Sequence, residues 1–158
     1  LDLLLTFQYD VQERPDVLFR PLWEVPVYFV YHRGSVDKER MALHPGDQLL
    51  ILNSPEDSPA AFALEQAACQ RMGVIPRYKL AETVNQQLFF VRQGYGCALL
   101  AGNSNLRTDP AIVFEPRDAL EPVTLVGAWN IHTANPGIHL CMDLLQSLLE
   151  NAEEAKHW

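Results

Sequence analysis

The stretch that decides the fold is Val84–Asn105, which reads VNQQLFFVRQGYGCALLAGNSN. It predicts a helix that Thr83 caps and Gly94 ends, followed by a buried strand at Cys97–Leu100. The apolar stripe of this helix consists of Val84, Leu88 and Val91. Gly94 and Gly96 match half of a dinucleotide-binding fingerprint, which needs its glycines between a strand and a following helix. Here they lie between a helix and a following strand, so they predict a tight turn and not a nucleotide site.

A similar unit comes before this stretch in the chain. Leu49–Leu52 predicts a buried strand, Ser58 and Pro59 suit the start of a helix, and Gly73 suits its end. The apolar face of this helix is predicted to consist of Ala61, Leu64, Ala68 and Met72. Arg77–Leu80 predicts the next strand. Together the two units predict consecutive strand–helix repeats.

Further strands are predicted on both sides of these repeats. They are Leu3–Phe7, Val25–Tyr31, Ile112–Glu115 and Val123–Trp129. Pro26 limits the second of them to a sheet edge or to the start of a strand. The last helix follows Pro136, and its predicted apolar stripe consists of Ile138, Cys141, Leu145, Leu148, Ala152 and Ala155.

This order of elements predicts an α/β fold with a mostly parallel sheet covered by helices. Residues 49–115 form a complete unit, which we expect to be lobe II. Residues 1–31 and 123–158 are each incomplete alone, and we expect them to pair as lobe I. Residues 32–48 and 116–122 would then be hinge crossovers, with a cleft between the lobes.

Composition excludes several classes of partner. The chain has 158 residues, of which 48% are hydrophobic, and a net charge of −8 without any basic run. It should not bind DNA or an anionic membrane by itself, and no apolar run reaches the ~20 residues of a membrane span. Its three cysteines are an odd number in apolar surroundings, which indicates buried free thiols in a reducing compartment such as the cytoplasm. The start at Leu1 has neither a Met nor a basic region, so we expect a fragment of a longer protein.

Four segments together resemble the LysR-type transcriptional regulators. Val91–Leu100 is similar to the family's V-x-x-G-x-G segment with its following apolar residues, and Leu1–Leu5 is similar to the strand that the family writes l-D-l-a-i. Arg20–His32 resembles a further strand, and Met72–Pro76 resembles the family's G-x-x-P ending of a helix. Ala101 departs from the family, which usually has Pro at this position.

The resemblance implies a two-lobed fold of the type 2 periplasmic-binding-protein class. It implies an effector-sensing domain without catalytic residues or a cofactor, which binds a small carboxylate or an amino-acid-like inducer between its lobes. It also implies a homodimer or higher homo-oligomer, and contact with DNA only through a helix-turn-helix that this chain lacks. Because the family's lobe I begins upstream of Leu1, we expect lobe I to be incomplete with uncovered edges. Self-association is predicted through strand 25–31 and the stripe on 138–155.

Ligand contacts are predicted where strands end and helices begin, since open α/β folds bind ligands there. The predicted ligand-binding residues are Thr6, Phe7, Gln8, Asn53, Ser54, Ser58, Thr83 and Asn85. Free backbone N–H groups at a helix start favour a carboxylate ligand. Ser58 and Thr83 are equally good helix caps in the absence of any ligand.

Other chemistry has weaker support from the sequence. His132, His139, Cys141 and Asp143 are close in the chain, but their spacing fits no common zinc pattern, so we expect no metal site. The sequence has no nucleophile elbow. Two alternatives stay open: a solute-binding receptor of the periplasm, and an enzyme such as a dehydratase with the same architecture.

Overall fold

The computed structural model describes residues 2–35, 46, 48–102 and 109–156, with side chains as far as Glu153. The chain forms two compact units. Unit 1 ends at Val25 and resumes at Val123, whereas unit 2 runs from Pro26 to Pro122. The described helices are α1 (Gln8–Val11), α2 (Pro59–Arg71), α3 (Val84–Arg92) and α4 (Gly137–Lys156), and a short 3-10 turn covers Arg33–Ser35. The described strands are β1 (Leu4–Phe7), β2 (Val17–Val25), β3 (Val27–His32), β4 (Leu49–Asn53), β5 (Arg77–Ala81), β6 (Ala98–Ala101), β7 (Ile112–Pro116) and β8 (Val123–Asn130).

Unit 2 combines parallel and antiparallel pairs of strands. β4 pairs in parallel with β5, and β3 lies between β6 and β7, antiparallel to both. Cys97 joins these two groups of strands, because its N–H donates to the Leu49 carbonyl at 2.8 Å and its carbonyl accepts from Ile51 N–H at 2.7 Å. Phe29, Leu50 and Leu52 are fully buried at the centre of the unit. The strand–helix repeats therefore form the predicted α/β unit.

The glycines of the deciding stretch form the predicted tight turn. Gly94 has φ of +73° just after α3, in the left-handed region that favours glycine. Gly94 N–H donates to the Val91 carbonyl and Tyr95 N–H to the Phe90 carbonyl, which is a Schellman ending. Gly96 is required for another reason, since a Cβ atom there would lie 2.2 Å from the Leu49 carbonyl oxygen. The chain thus turns directly from α3 into the strand beside β4.

Unit 2 also corrects two predicted helix faces. On α2 the buried residues are Ala61, Glu65, Ala68 and Cys69, whereas Leu64 is 42% exposed. On α3 the buried residues are Gln87, Leu88 and Val91, whereas Val84 is 48% exposed. The predicted faces were therefore rotated, because the pattern followed apolar residues and left out two polar ones that belong inside.

Unit 1 is an antiparallel sheet covered by α4. β8 is its central strand, with β1 on one side and β2 on the other, so the prediction of a mostly parallel sheet is wrong for this unit. The sequence pattern also missed β2, in which the register shifts between Pro21 and Trp23. A shift at a proline on an edge strand is a usual way to tolerate its missing N–H. The alternation that marks a strand is interrupted there.

Helix α4 packs through a different face from the predicted one. Its inner side chains are Ile138 and Met142, with Leu145 and Leu149 partly buried beside them. A Cβ atom at Gly127 would lie 2.1 Å from the Met142 sulfur, so Met142 lies directly on the backbone of β8. Of the predicted stripe, Ile138 and Leu145 face the sheet, whereas Cys141, Leu148 and Ala152 are exposed. Ala155 lies outside the side chains that the structure describes.

The position of β3 corrects two further predictions. The strand predicted at Val25–Tyr31 belongs to unit 2 and not to lobe I, because β3 pairs with β6 and β7. It is an inner strand with a partner on each side, so it offers no free edge for self-association. Pro26 precedes it, which fits the alternative that the proline marks a strand start. Of the predicted hinge 32–48, residues 36–45 and 47 lie outside the described part of the chain.

Candidate functional site

Unit 2 brings two of its predicted ligand-binding loops to one edge of its sheet. β4 and β5 are parallel and end in register at Asn53 and Ala81, and Ser54 N–H donates to the Ala81 carbonyl at 2.8 Å. The segments that lead into α2 and α3 therefore start side by side. We call this region, Asn53–Ser58 together with Glu82–Asn85, the carboxyl edge of unit 2.

The serines before α2 make different hydrogen bonds. Ser54 is buried, and its hydroxyl oxygen accepts from Glu56 N–H at 3.3 Å while its carbonyl accepts from Ser58 N–H at 2.8 Å. Ser58 stands at the N-cap position of α2, but its side chain makes no capping bond. The prediction that Ser58 caps α2 through its hydroxyl is therefore wrong. That half-buried hydroxyl stays available to a ligand.

At the start of α3 the capping interpretation holds for Thr83. Its hydroxyl oxygen accepts from Gln86 N–H at 3.2 Å, and the Gln86 side-chain oxygen accepts from Glu82 N–H at 2.7 Å. These bonds satisfy free donors at the helix start in the manner of a capping box. Asn85 is exposed in the first turn. Thr83 has a structural role whether or not a ligand is present, whereas Asn85 has none that the structure gives.

Behind the carboxyl edge lies a buried polar network that the sequence reasoning missed. Glu65 of α2 is 6% exposed and Gln87 of α3 is 0% exposed. The Glu65 carboxylate accepts from Asn53 N–H at 2.8 Å, from Asn53 Nδ2 at 2.8 Å and from Gln87 Nε2 at 3.2 Å. Gln87 Nε2 also donates to the Ile51 carbonyl at 3.0 Å. The network thus ties β4, α2 and α3 together next to the last residue of β4.

The electrostatics of this network are unusual because no basic side chain takes part in it. All three donors to Glu65 are neutral amides, and Gln87 Oε1 is buried without a hydrogen-bond partner in the described residues. Burial raises the pKa of Glu65 to about 7, although the hydrogen bonds from Asn53 and Gln87 act in the opposite direction. Perturbed carboxyl groups of this kind are concentrated at functional sites.

Helix periodicity could have identified both buried side chains. Glu65 lies four residues after Ala61 and three before Ala68, and Gln87 lies four before Val91. Residues at these spacings share one helix face, whatever their polarity. The rule that Glu and Gln lie on the surface hides the signal, since Glu is almost never fully buried without a partner.

The remaining predicted ligand-binding residues belong to unit 1. Thr6 donates its hydroxyl proton to Asp10 at 2.9 Å, and the ring of Phe7 stacks on that of Tyr9 with centroids 5.4 Å apart. Gln8 begins α1 and lines a shallow depression of about 380 Å³. The other lining residues are Pro21, Leu22, Trp23, Glu24 and Thr124. Thr6, Phe7 and Gln8 thus form a group within unit 1.

Two of the four residues considered for a metal have other side-chain partners. Asp143 accepts from Arg20 at 2.9 Å, and the ring of His139 meets that of Trp129 edge-on at 5.7 Å. Among the described residues, no group of three or more His, Cys, Asp and Glu side chains could hold a metal ion. None of the helices within the described ranges combines the length and the apolarity needed to cross a membrane.

Comparison with known proteins relates this geometry to solved structures. No family model and no curated protein sequence matches the chain. Solved structures do match. The effector-binding domain of QuiR, solved in complex with shikimate, matches with a TM-score of 0.68 at 17% identity, over 94% of this chain and 71% of that one. The regulatory domain of CcmR from Synechocystis PCC6803, solved in complex with 2-PG, matches with a TM-score of 0.71 at 16% identity, over 93% of this chain and 73% of that one.

A third structure extends the match to a longer regulator. HinK, a LysR-family transcriptional regulator from Pseudomonas aeruginosa, matches with a TM-score of 0.68 at 18% identity. The aligned region covers 94% of this chain and 53% of HinK, so the chain spans about half the length of that regulator. The chain therefore has the fold of the effector-binding domains of LysR-family transcriptional regulators, which is the type 2 periplasmic-binding-protein-like fold.

Proposed function

We propose that this chain is the effector-sensing domain of a LysR-type transcriptional regulator and that it binds a small molecule without changing it chemically. The fold carries the proposal, together with the four sequence segments that resemble this family. The domains solved in complex with shikimate and with 2-PG support a small molecule as the effector, and we propose that it carries an anionic group. We expect a carboxylate or an amino-acid-like compound.

The carboxyl edge of unit 2 has groups that suit such a ligand. The first-turn N–H groups of α2 lack a side-chain cap, so they can donate to a carboxylate. The Ser58 hydroxyl and the Asn85 amide belong to the same carboxyl edge and make no hydrogen bond to any described residue. All eight predicted ligand contacts stay predictions. Among them, Ser58 and Asn85 have side chains that no described hydrogen bond already uses.

Binding would act on transcription by shifting a conformational equilibrium. A ligand can do this only if it binds one arrangement of the protein more tightly than the other. We propose that the regulator is a homodimer or a higher homo-oligomer in the cytoplasm, and that it contacts DNA through a helix-turn-helix outside this chain. Sedimentation of the chain at high concentration tests the self-association, and a purely monomeric result would contradict it.

A thermal-shift screen tests the sensing function. Shikimate, 2-PG, small carboxylates and amino acids are added one at a time, and the melting temperature is measured. A compound that binds only the folded chain stabilises it by about 2.7 kcal/mol at a concentration of 100 times Kd. For a chain of this size, this corresponds to a rise of roughly 5–10 °C.

A pair of variants locates the binding to the carboxyl edge. Ser58→Ala removes a hydroxyl at the proposed site, and Ser147→Ala removes an exposed hydroxyl on α4 in unit 1. For a compound that binds as proposed, the shift should shrink in Ser58→Ala and stay unchanged in Ser147→Ala. If the chain converts a compound into a product, or if no compound of this panel shifts the melting temperature, the sensing proposal fails.

A further inference from the structure

The network behind the carboxyl edge controls which atom of Asn53 a ligand would meet. Glu65 Oε1 accepts from Asn53 Nδ2 at 2.8 Å, and Glu65 Oε2 accepts from the backbone N–H of the same residue at 2.8 Å. Because Glu65 Oε1 accepts from Asn53 Nδ2, the amide nitrogen of Asn53 faces the carboxyl group. The amide group is planar, and its oxygen, Oδ1, is therefore turned away from Glu65.

Other bonds hold Glu65 itself in place. Gln87 Nε2 donates to Glu65 Oε1 at 3.2 Å and to the Ile51 carbonyl at 3.0 Å, so α3 and β4 fix the carboxylate from a second side. Asn53 is only half-buried, and its Oδ1 accepts no hydrogen bond from any described residue. The outward group at the end of β4 is therefore a fixed, unused hydrogen-bond acceptor.

We propose that Glu65 is a positioning residue, which orients the Asn53 amide so that the site selects an effector carrying an N–H or O–H donor next to its carboxylate. This inference rests on the proposed effector-sensing function and narrows its ligand class to hydroxy acids and amino acids. The carboxylate of such a ligand would take the N–H groups at the start of α2, and its hydroxyl or ammonium group would donate to Asn53 Oδ1.

Glu65→Gln tests this orientation because it replaces one hydrogen-bond-accepting oxygen of Glu65 by an NH₂ donor. If the oxygen of the introduced amide keeps the bond from Asn53 N–H, the new NH₂ group faces the Asn53 side chain and favours its flipped orientation. Asn53 then presents NH₂ to the ligand instead of oxygen. Asn53→Asp added to Glu65→Gln restores an outward acceptor, since the introduced carboxylate accepts from the new NH₂ group with one oxygen and presents the other. Glu121→Gln removes an exposed charge of unit 2 outside the carboxyl edge and is the matched control.

The probes are propionate, L-lactate and L-alanine, which differ only in H, OH or NH₃⁺ at one carbon. Binding to the whole chain is followed by NMR through the backbone amide of residue 53 and its neighbours. Wild type and Glu121→Gln should bind L-lactate or L-alanine roughly tenfold more tightly than propionate, the size expected of one additional hydrogen bond. Glu65→Gln should reduce this ratio to about twofold or less, and the double variant should restore it. Recovery in the double variant separates positioning from a general loss of structure.

A ligand-free measurement checks the orientation directly. The side-chain NH₂ resonances of Asn53 should show slow solvent exchange in wild type and fast exchange in Glu65→Gln. Fast exchange in wild type, or equal affinity of wild type for all three acids, would overturn the positioning role while leaving effector sensing intact. If none of the acids shifts any resonance of unit 2, the sensing function at this edge fails and the inference fails with it.

Discussion

The buried carboxyl group of Glu65 should make the stability of unit 2 depend on pH near neutrality. Burial raises its pKa from the usual 4.5 to about 7, so the folded unit favours the neutral acid. The contribution of Glu65 to stability is therefore complete below pH 4.5 and is lost as the pH rises through 7. Glu65→Gln replaces the acid by an amide of similar shape that does not titrate. The free energy of unfolding of wild type should fall relative to that of Glu65→Gln as the pH increases.

The size of this effect follows from the change in pKa. One pKa unit corresponds to about 1.4 kcal/mol, so a rise from 4.5 to about 7 corresponds to roughly 3 kcal/mol over the full titration. Between about pH 5 and pH 8, the wild type should lose about 2 to 3 kcal/mol relative to Glu65→Gln. The amide also breaks part of the network, which adds a constant offset. Because that offset does not titrate, only the change of the difference with pH measures the ionisation of Glu65.

Urea unfolding followed by far-ultraviolet circular dichroism at a series of pH values gives the two free energies. Tryptophan fluorescence serves as an internal comparison, since none of the three tryptophans lies between Pro26 and Pro122. If the units unfold separately, the pH effect should be confined to the transition that fluorescence does not detect. Glu56→Gln, which removes an exposed carboxylate, is measured in parallel as a control. The difference in free energy of unfolding between wild type and Glu65→Gln is the measured quantity. If it varies by less than about 0.5 kcal/mol from pH 5 to pH 8, the assignment of Glu65 as a buried carboxyl group without a neighbouring cation is refuted.

Three further predictions follow from local geometry. Thr83→Ala should lower the free energy of unfolding by about 1 kcal/mol because it removes a capping hydrogen bond. Ser58→Ala should change it by less than about 0.5 kcal/mol because the Ser58 side chain makes no capping bond. Equal losses of stability in urea unfolding would contradict the assigned caps. Gly96→Ala should lower the free energy of unfolding by more than about 2 kcal/mol, because the added Cβ would press on the Leu49 carbonyl. Gly94→Ala should lower it by about 1 kcal/mol, because only the left-handed backbone conformation opposes a side chain there. The reverse order of urea midpoints would be inconsistent with this turn. Exposed Cys141 should react with a thiol reagent at once, whereas Cys69 and Cys97 should react only on unfolding. Both are buried, and burial raises the pKa of the Cys97 thiol to about 12. Three equal reaction rates in the native protein would exclude this arrangement.

The elements that local chemistry specifies could be predicted from the sequence. Gly73 and Gly94 both have positive φ and end α2 and α3 as their positions indicated, because glycine alone adopts that conformation without a steric cost. The turn between α3 and β6 follows from the order of helix, glycines and strand. These local signals need no knowledge of distant residues, so reading the chain in sequence was sufficient for them.

Features that depend on distant partners were not predictable in the same way. Pro26 left open whether β3 lies at a sheet edge or only starts after the proline. Its place between β6 and β7 is set by residues about 70 and 85 positions further along the chain. Only the family resemblance, over Arg20–His32, indicated a strand in the region of β2. The apolar pattern did not, because polar residues and the shift at Pro21 interrupt the alternation, and the pairing of β2 with β8 spans about 100 residues. Strand partners are chosen by the whole fold, which a local pattern does not contain.

The loops of the candidate site could be predicted from the sequence, but the buried polar network behind them could not. The end of β4 follows from the general position of ligands in open α/β folds, and Asn53 was identified in this way. Glu65 and Gln87 break the rule that such residues stay on the surface, and conflicts of this kind between local preference and global fold are expected where function requires them. The network costs stability because its charge has no cation, yet it holds one amide in a single orientation. A purely apolar contact in its place would stabilise unit 2 more but would leave Asn53 free to turn either end towards a ligand. If the carboxyl edge binds an effector as proposed, the buried carboxyl group is the feature that would make it selective.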